Sequence, residues 1–205
     1  MIFEPGDIFV VAVAILLSMG FHEAMHAFTA HWLGDSTAKE QGRLTLNPLK
    51  HIDVVTTVLL PVILILLGLP PIFAAKPVPF NPALVKYDEF GAALIGIAGP
   101  LTNLFLAIIA ALFLRGVNLS ETLAHVYLIF IAVNVGFFVF NMIPFPPLDG
   151  SRLLYAFAPE PVQRIMYQIE SMGFMTVLLF LMLLIPVISP VIDYVYRHII
   201  ILLLG

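Results

Sequence analysis

The 205-residue sequence contains no cysteine, which removes disulfide frameworks, thiolate metal sites and a cysteine nucleophile together, without fixing a compartment. Charge is nearly as scarce. Only 11% of residues are charged against 61% hydrophobic, and mean hydropathy is +1.06. A soluble domain is about 25% charged and about 45–50% apolar. So few charges cannot cover a water-facing surface, and the outer face is expected to meet a lipid bilayer. The net charge of −4, with no basic block, argues against nucleic acid as a partner. No Lys or Arg precedes the first apolar run. The start, Met1 to Asp7, therefore lacks the cationic region of a signal peptide, and the run is expected to stay as a membrane span. Internal repeats, low-complexity tracts and an appended soluble domain are also missing. One membrane-embedded domain is expected over 1–205, with a core from about residue 7 to 157 and C-terminal helices from about 160 to 204.

What is present is a series of long apolar runs. They cover about Ile8–Leu33, Val54–Leu69, Phe90–Leu114, Leu123–Ile143, Phe174–Ile185 and Val187–Leu204, the last interrupted by Asp193, Arg197 and His198. A spanning helix needs about 20 apolar residues. The first, third and fourth runs qualify outright, and the second is marginal. An amphipathic stretch lies near Glu160–Glu170. Residues 35–53 and 70–89 are polar connectors. In the first, Arg43 to Leu46 alternates like a short strand; the second is too rich in proline for a helix and suits extended chain. The expected fold is an all-α polytopic membrane bundle of five to six apolar segments, one of them re-entrant, with short extended or β membrane-associated segments.

Inside the first run stands His22-Glu23-Ala24-Met25-His26, an H-E-x-x-H pattern. Residues four apart lie one turn above each other on a helix, so two imidazoles can reach one ion. Glu23, next to the first ligand, is placed to take a proton from a metal-bound water, whose pKa zinc brings to about 7. In a soluble helix such a pattern is often an incidental, solvated face. At bilayer depth each ionisable side chain costs roughly 2.5–3.5 kcal/mol, so three in five residues need a reason, and metal coordination is the most economical. A catalytic zinc wants a third protein ligand and an open fourth position. Most other His, Asp and Glu residues lie in connectors or at span ends, where solvation explains them. Asp149 differs: it follows an apolar span through Pro144-Phe145-Pro146-Pro147-Leu148. Extended chain at that depth is tolerated only in protein or against a wet cavity. His198 is its strongest competitor, although Asp193 and Arg197, four apart, suggest a local ion pair nearby. Asn134 and Asn141 share one face of the fourth run, where polar residues commonly serve as interhelical hydrogen-bond glue worth about 0.6–2 kcal/mol. Gly96 and Gly99 permit close helix packing.

Three elements together, His22-Glu23-Ala24-Met25-His26, Gly99-Pro100-Leu101-Thr102-Asn103 and Asn141 through Asp149-Gly150, resemble the site-2 protease family of intramembrane metalloproteases. The resemblance covers about residues 15 to 155. It implies His22, His26 and Asp149 as ligands of one zinc ion, Glu23 as catalytic base, Asn141 as a residue that positions substrate or stabilises an oxyanion, and Asn103 as a residue lining the site. The chain resembles a minimal member, with no PDZ-like or nucleotide-binding insertion. The implied activity is zinc-dependent hydrolysis of peptide bonds in membrane-protein substrates that carry a transmembrane helix. A helical substrate hides its peptide bonds and must unwind. The segments around Arg43–Asn47 and Ala74–Asn81, with Leu44 and Leu46 in the first, could pair with it as an added strand.

Topology bears on the same site. For the first and fourth runs to bring their ligands to one depth, they must run parallel. They do so if residues 54–69 dip into the membrane and return. Lys39, Arg43, Lys50, Lys76, Lys86 and Arg152 then share one face with Arg115 opposite, which makes the site face cytoplasmic and leaves the N-terminus outside. The rival reading is a zinc-binding membrane scaffold or a metal transporter. A transporter needs ligands at more than one depth, whereas the pattern supplies one cluster; a scaffold needs no glutamate beside the ligand.

Overall fold

The structure, a computed structural model, describes residues 5–53, 57, 59, 66, 78–173, 176 and 180–205. Four helices are long and apolar enough to cross a membrane: α1 (Ile8–Trp32), α3 (Asp88–Gly116), α4 (Glu121–Asn141) and α7 (Ile185–Leu204). Shorter helices are α2 (Thr37–Glu40), α5 (Gly150–Phe157) and α6 (Glu160–Ser171). Single 3-10 turns cover Pro48–Lys50 and Pro82–Leu84.

Side-chain size sorts the bundle. Lipid tails are as apolar as leucine, so hydrophobicity alone does not pull helices together; close backbone approach and buried polar pairs do. The buried face of α1 accordingly carries Ala14, Ser18, Ala24, Ala27 and Ala30, and that of α3 carries Gly96, Gly99, Ala107 and Ala111. Large apolar side chains point outward, among them Phe9, Trp32 and Phe105. Ala107, Ala110 and Ala111 of α3 meet Ile131, Val135 and Val139 of α4, and Tyr196, Ile199 and Leu203 of α7 pack on this cluster.

Paired contacts give the helix directions. His125 of α4 meets Asp7 at the start of α1 (2.8 Å), and farther along Phe137 of α4 lies against the His22 ring. These two helices run parallel. Ile95 contacts His26 and Asn103 contacts Ser18, so α3 is antiparallel to α1. Arg115 of α3 reaches Leu203, and Tyr196 reaches Ala132 in the middle of α4, so α7 is antiparallel to α4. The long connector between α1 and α3 leaves and returns at one end of the bundle, where Lys86 N–H donates to Leu33 O (2.9 Å).

Several expectations change. Residues 54–69, read as re-entrant, lie outside the described residues except for 57, 59 and 66, and so do residues 74–77 of the proline-rich segment. No β-strand occurs among the described residues. Arg43–Leu46 folds on itself instead, with Thr45 N–H donating to Arg43 O (2.9 Å) and Asn47 N–H to Thr45 Oγ1 (3.1 Å); a backbone that spends its donors locally has no ladder to offer. Residues 78–80 have no regular structure, and Pro82–Leu84 is helical. The run Val187–Leu204 is part of one continuous helix beginning at Ile185, with Pro186 in its first turn, where a missing N–H costs nothing, and Pro190 in its interior. A π-helical turn, Phe180–Leu184, precedes it. The stretch just after Asp149 forms α5.

Candidate metal centre

His22 and His26 sit on the face of α1 that packs against α3. Both are buried, at 4% and 7% exposure. The approach of α3 is close because Gly99 has no side chain: a Cβ there would stand 2.4 Å from His26 Nε2 and 2.7 Å from His22 Nε2. The third component arrives from the other end of the sequence. Asp149 is the N-cap residue of α5 but makes no capping hydrogen bond. Its carboxylate points instead to the histidines, with Oδ2 2.9 Å from His22 Nε2 and 3.3 Å from His26 Nε2.

The hydrogen-bond network assigns the imidazole tautomers. Asn103 Nδ2 donates to Ser18 O (3.1 Å) and to Asn134 Oδ1 (2.9 Å). Asn103 Oδ1 therefore faces His22 and accepts from His22 Nδ1–H at 2.7 Å. His26 Nδ1–H donates to Ile95 O at 2.6 Å. With both Nδ1 protons committed, neutral imidazoles present their Nε2 lone pairs, 3.0 Å apart, to each other and to the Asp149 carboxylate. Three electron-rich atoms so arranged repel one another unless a cation lies among them. A tetrahedral zinc with arms of about 2.0–2.1 Å has edges of about 3.3 Å, close to the separations here. The donor set fits zinc, which takes nitrogen and carboxylate oxygen. Each histidine's outer nitrogen is held as in known zinc sites, where such partners orient the ring and tune its basicity.

Glu23 is half-buried and points to the same place. Its carboxylate and the two histidine nitrogens lie within 4.8 Å of one another. Two carboxylates thus flank the centre. Asp149 is in direct contact with the Nε2 atoms, whereas Glu23 Oε2 accepts a hydrogen bond from Val78 N–H (3.1 Å), which ties it to the second connector. That chain is anchored again three residues on. Asp35, fully buried just past α1, accepts from Thr37 N–H (2.9 Å) and Oγ1–H (2.5 Å) and from Asn81 N–H (2.6 Å). Burial alone would raise the Asp35 carboxyl, but the Thr37 and Asn81 donors hold it below the usual carboxylate range.

The remaining site expectations fare differently. Asn103 is fully buried with both ends of its amide engaged, and its Oδ1 holds His22. Asn134, read as interhelical glue, is the next link, receiving Asn103 and donating to Phe130 O (2.9 Å). Its signal in the sequence was only a polar residue in an apolar span. Asn141 donates to Phe137 O of its own helix (3.0 Å). Leu44 is half-buried and Leu46 is 51% exposed, on a loop that touches α1 just before His22: a Cβ on Gly20 would lie 2.7 Å from Pro48 Cβ. His198 is exposed, donates to Tyr194 O (2.7 Å) and stacks on that ring. It takes no part in the centre. No ion pair joins Asp193 to Arg197 among the described residues, and both side chains are exposed.

Comparison with known proteins adds to this geometry. The family profile described as Peptidase family M50 matches residues 115–185, a stretch that holds Asp149 but not the two histidines. The chain is 38% identical over 178 residues to YwhC of Bacillus subtilis, which carries the name of a zinc metalloprotease; the match covers 82% of this chain and 78% of that protein. It is 30% identical over 191 residues to Rip2 of Mycolicibacterium smegmatis, named likewise, covering 86% of this chain and 68% of that protein. No solved structure matches.

Proposed function

The chain belongs to peptidase family M50, the site-2 protease family of intramembrane zinc metalloproteases, and from this we propose that His22, His26 and Asp149 hold one zinc ion per chain while Glu23 serves as the base for peptide hydrolysis. The enzyme is an integral membrane protein that acts on membrane-protein substrates within the bilayer. The observation that carries the assignment of ligands is the convergence of two Nε2 atoms and Asp149 Oδ2 within 3.3 Å, with both Nδ1 atoms spent elsewhere.

Zinc bound there supplies Lewis acidity, polarising the scissile carbonyl and lowering the pKa of a water. The chain does the rest. Asn103 and Ile95 O keep the imidazoles turned to the centre. Glu23, adjacent but engaged with Val78 N–H, takes the proton of the attacking water and passes it to the leaving amine. Asn141 donates to the developing oxyanion, a contribution whose loss typically costs about 10²–10³ in rate. The unwound substrate lies between the Leu44–Leu46 loop and residues 78–80, with its backbone paired to the latter. The active site opens toward the cytoplasm.

Exchanging Glu23 for Gln tests the core of this reading. The variant keeps size and hydrogen-bonding reach but loses the basic oxygen. Zinc content should stay stoichiometric while cleavage of a transmembrane-helix substrate falls at least ~10²-fold. Asp149→Ala should instead lose zinc and activity together. If Glu23→Gln loses zinc and Asp149→Ala keeps it, the roles of the two carboxylates are exchanged. If Glu23→Gln keeps both zinc and full cellular function, the protein is a metal-binding scaffold.

A further inference from the structure

Two parts of the proposed site come from distant stretches of chain. Asp149 reaches the histidines from the start of α5, whereas residues 78–80 belong to the second connector. Hydrogen bonds hold each part separately. Val78 N–H to Glu23 and Asn81 N–H to Asp35 hold the connector, and Arg152 N–H to Asp149 O (3.0 Å) closes the first turn of α5. The Arg152 side chain joins the two parts. Its guanidinium lies over the Phe80 ring, 5.6 Å from the centroid, within the range of a cation–π contact.

Both partners of this contact are fixed from other sides. The stem of Arg152 rests on α3 at Gly96, where an added Cβ would stand 2.8 Å from Arg152 Cβ and 3.0 Å from Asp149 O. At its far end Nη2 is paired with Glu170 of α6. A guanidinium is planar, so it can give its face to an aromatic ring and its edge to a carboxylate at once; a lysine ammonium is a point charge on a flexible stem and has no such face. Phe80 packs on the buried cluster of Ala30, Leu33, Val85 and Ile95, between the tied residues Val78 and Asn81. Movement of this ring relative to Arg152 is therefore movement of residues 78–80 relative to Asp149.

We propose that Arg152 is a positioning residue for substrate: through the face of Phe80 it holds residues 78–80 in register with Asp149, so that a backbone paired to the connector presents its scissile bond at the metal centre. The proposal rests on the pairing of substrate with residues 78–80 given above. Glu170 keeps the guanidinium plane turned to the ring. Arg152 contributes no ligand to the metal centre, so its loss acts on substrate binding and leaves the ion in place.

A double-mutant cycle between Arg152→Lys and Phe80→Leu tests this in the full-length enzyme, with KM and kcat measured on a transmembrane-helix substrate and zinc counted in every variant. Arg152→Lys keeps a charge beside Glu170 but loses the stacked face; Phe80→Leu keeps an apolar side chain in the cluster but loses the ring. Each should raise KM about five- to tenfold, the order of a partly buried cation–π contact, with kcat within about twofold and zinc unchanged. The double variant should be no worse than either single one, because both remove the same contact. Phe80→Tyr, which keeps the ring face, should keep the wild-type KM. Effects that multiply in the double variant would mean that the two residues act independently and would overturn the coupling. Loss of zinc in Arg152→Lys would do the same, making Arg152 a support for Asp149. If Phe80→Leu raises KM and Arg152→Lys does not, the role of Arg152 alone falls. If Phe80→Leu leaves KM unchanged, residues 78–80 do not bind substrate, and the pairing falls together with the proposal.

Discussion

Each imidazole of the centre is held at both ring nitrogens, and that fixes the consequence of losing its outer partner. Asn103→Leu keeps roughly the same volume but removes the acceptor of His22 Nδ1–H and strands Asn134 Oδ1. Zinc affinity, read by competition with a chelator, should fall about 10–100-fold, the usual cost of removing an orienting partner. Asn134→Ala, one bond farther from the ring, should cost less. Gly99 acts through space rather than bonding. In Gly99→Ala the new methyl would stand 2.4 Å from His26 Nε2, and His26 cannot retreat without giving up Ile95 O. The variant should stay helical by circular dichroism and lose bound zinc. Gly136→Ala, where a Cβ meets nothing within 4 Å, should keep its zinc.

At the scale of elements, the connector from Val78 to Lys86 is lashed to the end of α1 and to Glu23 by three backbone donors, at Val78, Asn81 and Lys86. Phe80 adds an apolar contact, packed against Ala30, Leu33 and Ile95, with the Arg152 guanidinium over its ring (5.6 Å). Asp35 is the anchor that depends on pH. Its carboxyl is depressed in the folded state by the donors of Thr37 and Asn81, against burial. A depressed value means the anchor stabilises the fold fully above the unfolded pKa of about 3.9 and is lost as pH falls through the lower folded value. Thermal stability should therefore decline below about pH 4, and the decline should be shallower in Asp35→Ala, which has no such anchor at any pH. Equal pH slopes in the two proteins would remove Asp35 from the account.

Across the whole molecule, parallel α1 and α4 bring the C-terminal half of one helix and the residues after the other to the same end, and that end carries the basic residues of the connectors. Lys39, Lys86 and Arg152 belong to it, while Arg115 lies at the opposite end beside Leu203. Positive residues mark the cytoplasmic side. Single cysteines replacing Lys39 and Lys86 should react with an impermeant reagent only from the cytoplasm, and one replacing Asn118 only from outside. The opposite labelling pattern would invert the orientation, and mixed labelling of Lys39 and Lys86 would break the shared face.

Membrane residence and the pairing of His22 with His26 were legible in the linear sequence because both are local. Hydropathy over about 20 residues is a property of a segment, and a 3.6-residue turn puts His22 under His26 whatever else the chain does. The proline run before Asp149 also carried a local message, of chain that leaves the helix where only protein or a cavity tolerates it, although it folds as turns, with Leu148 N–H donating to Phe145 O (2.9 Å), and not as the extended chain expected. What the sequence left open is how far apart things meet. Asp149 lies 127 residues from His22, and its choice over His198 depends on α4 running parallel to α1. Asn103 and Asn134 are unremarkable polar residues in apolar helices until α3 passes close enough, at Gly99, for one amide to grip His22 and the other to grip the first. The strand expected at Arg43–Leu46 failed for the converse reason: alternation is a local signal, but a ladder needs a partner chain, and here the backbone turned to its own carbonyls. Periodicity is written along the chain, and partners are assigned only when helices pack.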